Sequence, residues 1–209
     1  VTTLTMAGHS VNVSDLYAMN FDPVSDRRNF SSIKNADIFN QQDEETYAYE
    51  QQTFSQELKL EMDKLQQCDL LIFQFPIWWL GMPAILKGWV DRVFARGVAY
   101  GGGHFFDQGK FAGKRAMLSI TMGGPQLAYS EQGIYCRSIE DILFPIHHGI
   151  LNFTGFSVLQ PFVVYEPNHI EYIERQACLE QYQQSLLNLD TKPILANIKT
   201  EDYQGYVSK

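Results

Sequence analysis

Continuous apolar runs and amphipathic segments alternate along most of this chain. The run from Cys68 to Phe75 is apolar almost throughout, which is typical of a parallel strand that helices cover on both faces. Arg115 to Thr121 and Ser157 to Tyr165 predict two more strands, and Pro161 favours an edge position for the second of them. Ser10 to Leu16 alternates valines with polar residues, which predicts an edge or half-covered strand.

Apolar residues recur at helical spacing between and after these strands. Residues 54 to 67, 138 to 151 and 170 to 189 predict helices, and Pro145 interrupts the second of them. Residues 83 to 94 predict a further helix, whose initial proline suits a first helical turn and whose apolar stripe is broad enough to meet two surfaces. The apolar face predicted for the last helix consists of Leu179, Tyr182, Leu186 and Leu189.

Strands that alternate with helices predict one α/β domain of parallel strands with covering helices, across residues 1–190. The length of 209 residues and the hydrophobic content of 45% suit a single domain with a full core. Residues 20 to 53 are polar and irregular, so we expect a long excursion from the sheet there. Residues 191–209 predict a polar C-terminal tail.

Charge and cysteine content narrow the possible functions. The net charge is −8 and the pI is near 5.1, so a nucleic-acid backbone would repel this chain. Its apolar runs are too short to cross a bilayer, and its first residues do not match a signal peptide. Cys68, Cys136 and Cys178 form neither a disulfide framework nor a metal-ligand cluster. We therefore expect a cytoplasmic protein with no metal site and no membrane span.

Chemically unusual loops follow the apolar strands. Adjacent tryptophans, Trp78 and Trp79, come directly after the first strand, and they favour a flat aromatic ligand such as a flavin. Because parallel strands end at one edge of a sheet, the loops after them could wall one cleft. The residues of these loops are Ile77 to Leu80, then Thr121 to Gly124 with Tyr129, then Glu166, Asn168 and His169.

Each of these features also has a simpler explanation. Gly123-Gly124 allows a close backbone approach to a ligand, yet a bare tight turn explains it as well. His147-His148 lies in an apolar context and fits a packed pair better than a metal site. Cys136 has no evident activating partner, which favours an inert thiol. The loop from Tyr100 to Gly103 fits a surface loop or a substrate gate equally well.

Four segments of the chain resemble the NAD(P)H:quinone oxidoreductase family, the FAD-dependent flavodoxin-like reductases. In chain order they are SDLYAMNFDPV, QFPIWWLGMPAILKGWVDRVF, KRAMLSITMGGPQLAYSEQGI and LFPIHHGILNFTGFSVLQP. The likeness extends to about Leu189. It implies an α/β fold with a flavodoxin-like doubly wound parallel sheet in three α/β/α layers, in which the first of the four segments holds the second strand and its exit.

The resemblance also implies roles for particular residues. Tyr129 matches a tyrosine beside the flavin that stabilises charge during hydride transfer. Substrate contacts are implied for Ala99, Tyr100 and Gly101, in a loop that the partner subunit supplies in this family. Cofactor contacts are implied for Ile77, Trp78, Trp79, Leu80, Thr121, Met122, Gly123, Gly124, Tyr129, Arg175 and Asn40.

Three features differ from the family pattern. Tyr135 stands where the animal enzymes often carry a histidine partner of the catalytic tyrosine, so we assign Tyr135 that place. A tyrosine can donate a hydrogen bond there, but its ordinary pKa near 10 makes it a poor proton acceptor at neutral pH. Gly102 replaces a second substrate-loop tyrosine, which widens the pocket. The family's opening strand and phosphate-binding loop have no counterpart here, so the expected sheet lacks its first strand.

The implied activity is two-electron reduction of quinones by NAD(P)H through bound FAD, in a ping-pong sequence, by a homodimer. The broad apolar stripe of residues 83 to 94 is the sequence feature that favours a dimer. Two alternatives stay open at this point. One is an FMN-dependent azo- or nitroreductase, and the other is a non-catalytic, flavodoxin-like regulatory subunit of a membrane transporter.

Overall fold

A parallel sheet forms the centre of the computed structural model, which describes residues 1–195, 198–204 and 207–209. Strand β2 lies in the middle, with β1 along one side and with β3 and β4, one after the other, along the other side. The strands of this sheet are β1 (Leu70–Pro76), β2 (Arg115–Met122), β3 (Ser157–Val158) and β4 (Phe162–Tyr165). A separate antiparallel pair, β5 (Tyr203–Gln204) and β6 (Val207–Ser208), lies near the C-terminus.

Helices connect and cover these strands. The α-helices of the described chain are α1 (Thr2–Met6), α2 (Gln41–Gln51), α3 (Gln56–Gln67), α4 (Ala84–Val93), α5 (Ile139–Ile146) and α6 (Tyr172–Leu187). Short 3-10 turns occur at Arg27–Asn29, Phe106–Gln108, Gln126–Tyr129 and Thr200–Asp202. In the described parts of the chain, every helix is too short or too polar to cross a membrane.

The predicted strands at 68–75 and 115–121 and the predicted helices at 54–67 and 83–94 are confirmed, with ends shifted by a few residues. Pro83 is the N-cap of α4, where its missing amide costs no hydrogen bond. Pro145 does not end α5. The helix continues through Pro145 and then widens into a π-helix at His147–Asn152, so the loss of one amide changes the helical pitch instead of breaking the helix.

Two strand predictions differ from the structure. The predicted strand at Ser10–Leu16 is wrong, because these residues run as coil into a turn. In the described chain they pair with no strand, so their alternating pattern has no hydrogen-bond ladder to join. The predicted strand at Ser157–Tyr165 is divided into β3 and β4. Around Gln160 the backbone instead bonds Pro193, and Leu159 pairs with Ile194 of the predicted tail.

Two helix predictions also need correction. The polar excursion predicted for residues 20 to 53 contains α2, which sequence periodicity misses because its buried residues are Glu44, Glu45 and Ala48. An apolar stripe is therefore absent from its sequence. On α6, Leu186 is buried as predicted, but Leu179 is largely exposed and does not belong to the packed face.

Helix α4 is covered on both sides by its own chain. Trp89 and Val93 are buried on the side that faces Phe73 and the sheet. On another side, an added Cβ at Gly88 would lie 2.3 Å from the carbonyl oxygen of Pro23, so the polar segment packs directly on the helix. The broad stripe of α4 therefore meets the sheet and this segment, and it no longer supports the dimer that the sequence pattern favoured.

A buried carboxylate joins α3 to α4. Glu61 accepts hydrogen bonds from Trp89 Nε1 at 2.8 Å and from Lys64 Nζ at 2.6 Å, and Lys64 also bonds Ser14 at 3.1 Å. Burial raises the pKa of Glu61, but the hydrogen bonds from these neighbours outweigh it and leave the pKa below its ordinary value. The ionised Glu61 therefore holds Trp89 and the coil at Ser14 against α3.

We predict that Gly88→Ala destabilises the fold, because its new methyl group would overlap Pro23 and force backbone to move. The free energy of unfolding should fall by about 1–3 kcal/mol in a denaturant titration. Gly149→Ala is the matched control, since a Cβ there has no atom within 4 Å and alanine favours a helix. Equal stability of the two variants would contradict the close packing at Pro23.

Candidate functional site

The carboxyl ends of β1, β2 and β4 meet at one edge of the sheet, as the sequence predicted. Ile77 N–H donates to Thr121 O at 2.9 Å, which joins the loop after β1 to the end of β2. Glu166 N–H donates to Met122 O at 2.8 Å, which joins the loop after β4 to the same strand. The three predicted loops are therefore neighbours in the order β1, β2, β4.

The tryptophan loop is a strained two-residue turn. Trp78 and Gly81 exchange two backbone hydrogen bonds of 3.1 and 2.9 Å, and between them Trp79 and Leu80 have φ angles of 51° and 57°. Positive φ at both central residues defines a type I′ turn, which strongly prefers Asn-Gly. Trp79 is fully exposed and Trp78 is 54% exposed, so the turn holds an indole in solvent at the sheet edge.

A cluster of tyrosines lies beside the glycine pair after β2. Gly124 N–H donates to Tyr129 Oη at 3.2 Å, and the rings of Tyr129 and Tyr135 stack with centroids 4.8 Å apart at 11°. Tyr165, from the end of β4, lies 5.9 Å from Tyr129. Tyr129 is buried and Tyr135 is exposed, so the pair extends from the core to the surface.

Burial raises the pKa of the Tyr129 hydroxyl, and the nearby Tyr135 and Glu166 raise it further against the opposing effect of the Gly124 N–H. Burial likewise raises the pKa of Tyr165, with Glu140 acting in the same direction. Both phenols are therefore protonated at neutral pH. Tyr129 can donate a hydrogen bond to negative charge, which is the chemistry that a site for hydride transfer needs.

The glycine-rich loop after α4 carries the predicted substrate residues. Ala99 is completely buried, so its side chain belongs to the core, whereas Tyr100 is half-buried. Gly101 has a φ of 122°, which other residues rarely adopt. The Tyr100 ring lies 6.5 Å from Phe153, whose ring is parallel to that of Phe105 at 6.0 Å.

Arg175 and Asn40, the other predicted cofactor residues, lie outside the three loops. Arg175 lies in the first turns of α6 and donates to the Ile170 carbonyl, so it reaches the loop after β4. Asn40 is the N-cap of α2, where its side chain accepts from Asp43 N–H at 3.3 Å. Among the hydrogen bonds of the described residues, none connects Asn40 to the three loops. Two cavities, of about 160 and 230 Å³, lie away from these loops.

The histidine pair is packed, as predicted. The ring of His148 stacks on Phe144 with centroids 4.6 Å apart. His147 is buried, and burial lowers its pKa to about 4, so it is neutral at physiological pH. His147 Nε2 has no hydrogen-bond partner within the described chain.

Sequence reasoning missed two residues that contact the predicted site residues. Tyr165 completes the tyrosine cluster, and its place at the end of a strand was a signal that could have identified it. Glu45 lies in the helix that periodicity failed to find, and its carboxylate contacts the Tyr100 hydroxyl. No sequence pattern pointed to that contact, because 55 residues separate the pair.

Comparison with known proteins is consistent with this geometry. Residues 1–188 match Flavodoxin_2, a family with a flavodoxin-like fold. The chain is 41% identical to NAD(P)H dehydrogenase (quinone) 1 of Cavia porcellus, over 93% of this chain and 71% of that protein. It belongs to the NAD(P)H:quinone oxidoreductase family. It is also 39% identical to human (Homo sapiens) ribosyldihydronicotinamide dehydrogenase (quinone), over 89% of this chain and 80% of that protein.

Solved structures of similar proteins support the flavodoxin-like fold. A Klebsiella pneumoniae protein assigned as a quinone reductase superposes with a TM-score of 0.91 at 38% identity, covering 98% of this chain and 83% of that one. General stress protein 14 of Treponema denticola, solved in complex with FMN, gives a TM-score of 0.54 at 25% identity over 69% and 77% of the two chains. The family is one of flavin-dependent oxidoreductases.

A planar flavin ring fits the residues at the sheet edge. A Cβ added to Gly123 would meet no atom within 4 Å, so the backbone of this loop is open to a close approach. The exposed Trp79 and the adjoining Leu80 supply an apolar surface on the neighbouring loop. This combination of open backbone and exposed ring is what a flat aromatic ligand with polar edges requires.

We predict that the double change Trp79→Asn with Leu80→Gly stabilises the isolated protein by about 1–2 kcal/mol, because it relieves two left-handed residues and loses no buried contact at the fully exposed Trp79. Thermal and denaturant unfolding measure the effect. Gln52→Gly, which relieves a φ of 58° at the C-cap of α2, is the matched control outside the site. A less stable double variant would show that the turn is not strained.

Proposed function

We propose that this protein reduces quinones by two electrons with NAD(P)H as the donor, through a bound FAD. The observation that carries the proposal is the pairing of the Trp78–Gly81 turn with the Gly123-Gly124 loop. Hydrogen bonding between Ile77 and Thr121 makes these loops neighbours at the end of β1 and β2. Relatives named as quinone dehydrogenases at about 40% identity support the same activity.

In this proposal the two loops contact different parts of the cofactor. Ile77, Trp79 and Leu80 pack on the ring and its chain, and Trp78 borders them. The segment from Thr121 to Gly124 borders the polar edge of the ring, and the Gly123 N–H donates to that edge, since the Gly124 N–H is bonded to Tyr129. Arg175 lies toward the adenine half, in the first turns of α6, and Asn40 contributes a further polar contact. A contact between Arg175 and the adenine half would be specific to FAD, because FMN has no adenine.

Bound flavin would supply the two-electron chemistry, and the chain would bind, orient and stabilise charge. The Tyr129 hydroxyl keeps its proton because its pKa is raised, and it donates to negative charge that develops during hydride transfer. Gly124 N–H fixes the position of the Tyr129 oxygen from the other side. Tyr135 stacks on Tyr129 and excludes water from one of its faces.

We also propose a homodimer in which the loop with Tyr100 and Gly101 completes the quinone pocket of the partner. Support comes from large apolar side chains that are exposed in the loops after β1 and β2 and on α5. These are Trp78, Trp79, Leu80, Leu127, Ile134 and Phe144. Three free cysteines further support a reducing, cytoplasmic location.

The decisive experiment measures flavin binding and turnover together. The purified protein is titrated with FAD and with FMN, and binding is followed by quenching of flavin fluorescence. NAD(P)H oxidation is then measured with menadione as the acceptor. We expect saturable FAD binding, slower or weaker binding of FMN, and steady turnover that depends on both flavin and menadione.

The Trp79→Asn, Leu80→Gly variant should bind flavin at least tenfold more weakly, because it removes an apolar wall worth about 1.4 kcal/mol or more.

Different outcomes separate the alternatives. Preferential binding of FMN with reduction of azo dyes would replace the proposed activity by that of an FMN-dependent reductase. Gln52→Gly should leave flavin binding unchanged, since it lies outside the loops. A protein that binds neither flavin would contradict the proposal and favour a non-catalytic role.

We predict that Tyr129→Phe slows the reduction of bound flavin by NAD(P)H by about 10- to 100-fold, because it removes one hydrogen-bond donor to developing charge. Stopped-flow absorbance at the flavin band measures this step. Tyr135→Phe keeps the stacked ring and leaves the Tyr129 hydroxyl in place, so its effect should be smaller. Equal rates for Tyr129→Phe and the unmodified protein would remove Tyr129 from the catalytic step.

A further inference from the structure

Glu45 is a buried carboxylate that the proposed mechanism does not use. It lies in the second turn of α2 and is 3% exposed. An ionised side chain at such a site is costly unless donors surround it, because burial removes its hydration. Burial raises the pKa of Glu45, while hydrogen bonds from its neighbours oppose that change.

Three donors converge on the Glu45 carboxylate. Arg96 N–H donates to Oε2 at 2.7 Å, and the Tyr100 hydroxyl lies 3.4 Å from the same oxygen. Gln41 Nε2 donates to Oε1 at 2.8 Å. Two of these three donors therefore belong to the loop after α4, at its beginning and at the tyrosine that carries the proposed substrate contact.

The loop itself has little to hold Tyr100 in place. Gly101, Gly102 and Gly103 follow directly, and all three have positive φ angles, of 122°, 70° and 79°. Consecutive glycines restrict the backbone weakly, so the chain there has many accessible conformations. Gly97 N–H donates to Tyr100 O at 2.7 Å, and this closes the loop at its base without fixing the hydroxyl.

Helix α2 packs closely against this loop. A Cβ added to Gly97 would lie 2.6 Å from the Tyr49 ring, one turn beyond Glu45 on α2. The Tyr100 ring meets Phe153 at 6.5 Å from another direction. Tyr100 is thus held by Glu45 at its hydroxyl, by Phe153 at its ring and by Gly97 at its carbonyl.

We propose that Glu45 is a positioning residue for Tyr100, and that its carboxylate fixes the tyrosine in the orientation in which it contacts the quinone. The part of the proposal that concerns quinone rests on the proposed function. Glu45 does not touch substrate or cofactor. It acts through the hydroxyl of Tyr100 and through the backbone of Arg96, so its loss affects quinone binding and leaves reduction of flavin by NAD(P)H unchanged.

The same contact has a consequence that does not require turnover. Burial raises the pKa of Tyr100, and the charge and hydrogen bond of Glu45 raise it further. Removal of the Glu45 charge should therefore lower the pKa of Tyr100. This quantity reports the contact directly in the folded protein, whether or not a quinone is bound.

The experiment compares Glu45→Gln with the unmodified protein, both loaded with FAD. Tyrosine labelled with ¹³C at Cζ gives the pKa of Tyr100 by NMR titration, and Tyr100→Phe assigns its resonance. We expect a lower pKa in Glu45→Gln, a rise in the KM for menadione of about tenfold, and an unchanged rate of flavin reduction. In a Tyr100→Phe background, Glu45→Gln should add little to the KM, because the two residues act as one unit.

Glu44→Gln is the matched control. Glu44 is the preceding residue, is equally buried, and accepts hydrogen bonds from Lys34 and Asn35 on a different segment. It should lose a similar amount of stability and keep the pKa of Tyr100 and the KM for menadione. Gln41→Leu leaves the carboxylate and its charge in place, so it should not lower the pKa of Tyr100.

The outcomes are distinguishable from failure of the proposed function. An unchanged pKa of Tyr100 in Glu45→Gln, or equal shifts in Glu44→Gln, overturns the positioning role even when quinone reduction is observed. A lowered pKa of Tyr100 in a protein without quinone reductase activity supports the contact and removes the assignment to quinone. A lowered pKa together with a raised KM supports both.

Discussion

The buried guanidinium of Arg92 is the interaction on which the arrangement of this fold most depends. Its Nε donates to Asn29 Oδ1 at 2.7 Å, another nitrogen donates to the Asp22 carbonyl, and the third lies 3.3 Å from Glu57. The Phe21 ring lies 4.8 Å away on one face. A charge that is 4% exposed is tolerated because each nitrogen has a partner, and it ties the segment around residues 21–29 to α3 and α4. Helix α4 begins just after the tryptophan turn and ends just before the glycine loop. Its position therefore sets where both loops lie.

Sequence patterns predicted the parts of the fold in which burial follows a simple period. The strand at β1 and the helices α3 and α4 bury apolar residues at regular spacing, so their patterns indicate both type and place. Helix α2 could not be found in this way, because the residues it buries include two glutamates that serve as acceptors for distant backbone amides. The strand prediction for residues 10–16 was wrong for the opposite reason. Its alternation satisfies a strand, but a strand also needs a partner.

Topology explains why the candidate site was easier to predict than several of its helices. Parallel strands end at a common edge, so residues in the loops after β1, β2 and β4 had to be neighbours whatever their exact conformations. Contacts that depend on side-chain direction were not predictable. The burial of Ala99, the stacking of Tyr129 on Tyr135 and the capping role of Asn40 each depend on local backbone angles that no periodicity encodes.

The two loops proposed to carry function are stabilised by different means. The tryptophan turn holds Trp79 and Leu80 at positive φ with only the paired bonds to Gly81, so a locally unfavourable conformation presents an exposed ring. The glycine loop has the reverse arrangement, with a permissive backbone and a tyrosine restrained from outside by Glu45. Strain that is paid for within a turn gives a rigid wall, whereas an external restraint on flexible backbone can be altered one residue at a time. In the proposed function, the tryptophan turn is the fixed part of the flavin site, and the glycine loop is the part in which single substitutions can change the contact with the acceptor.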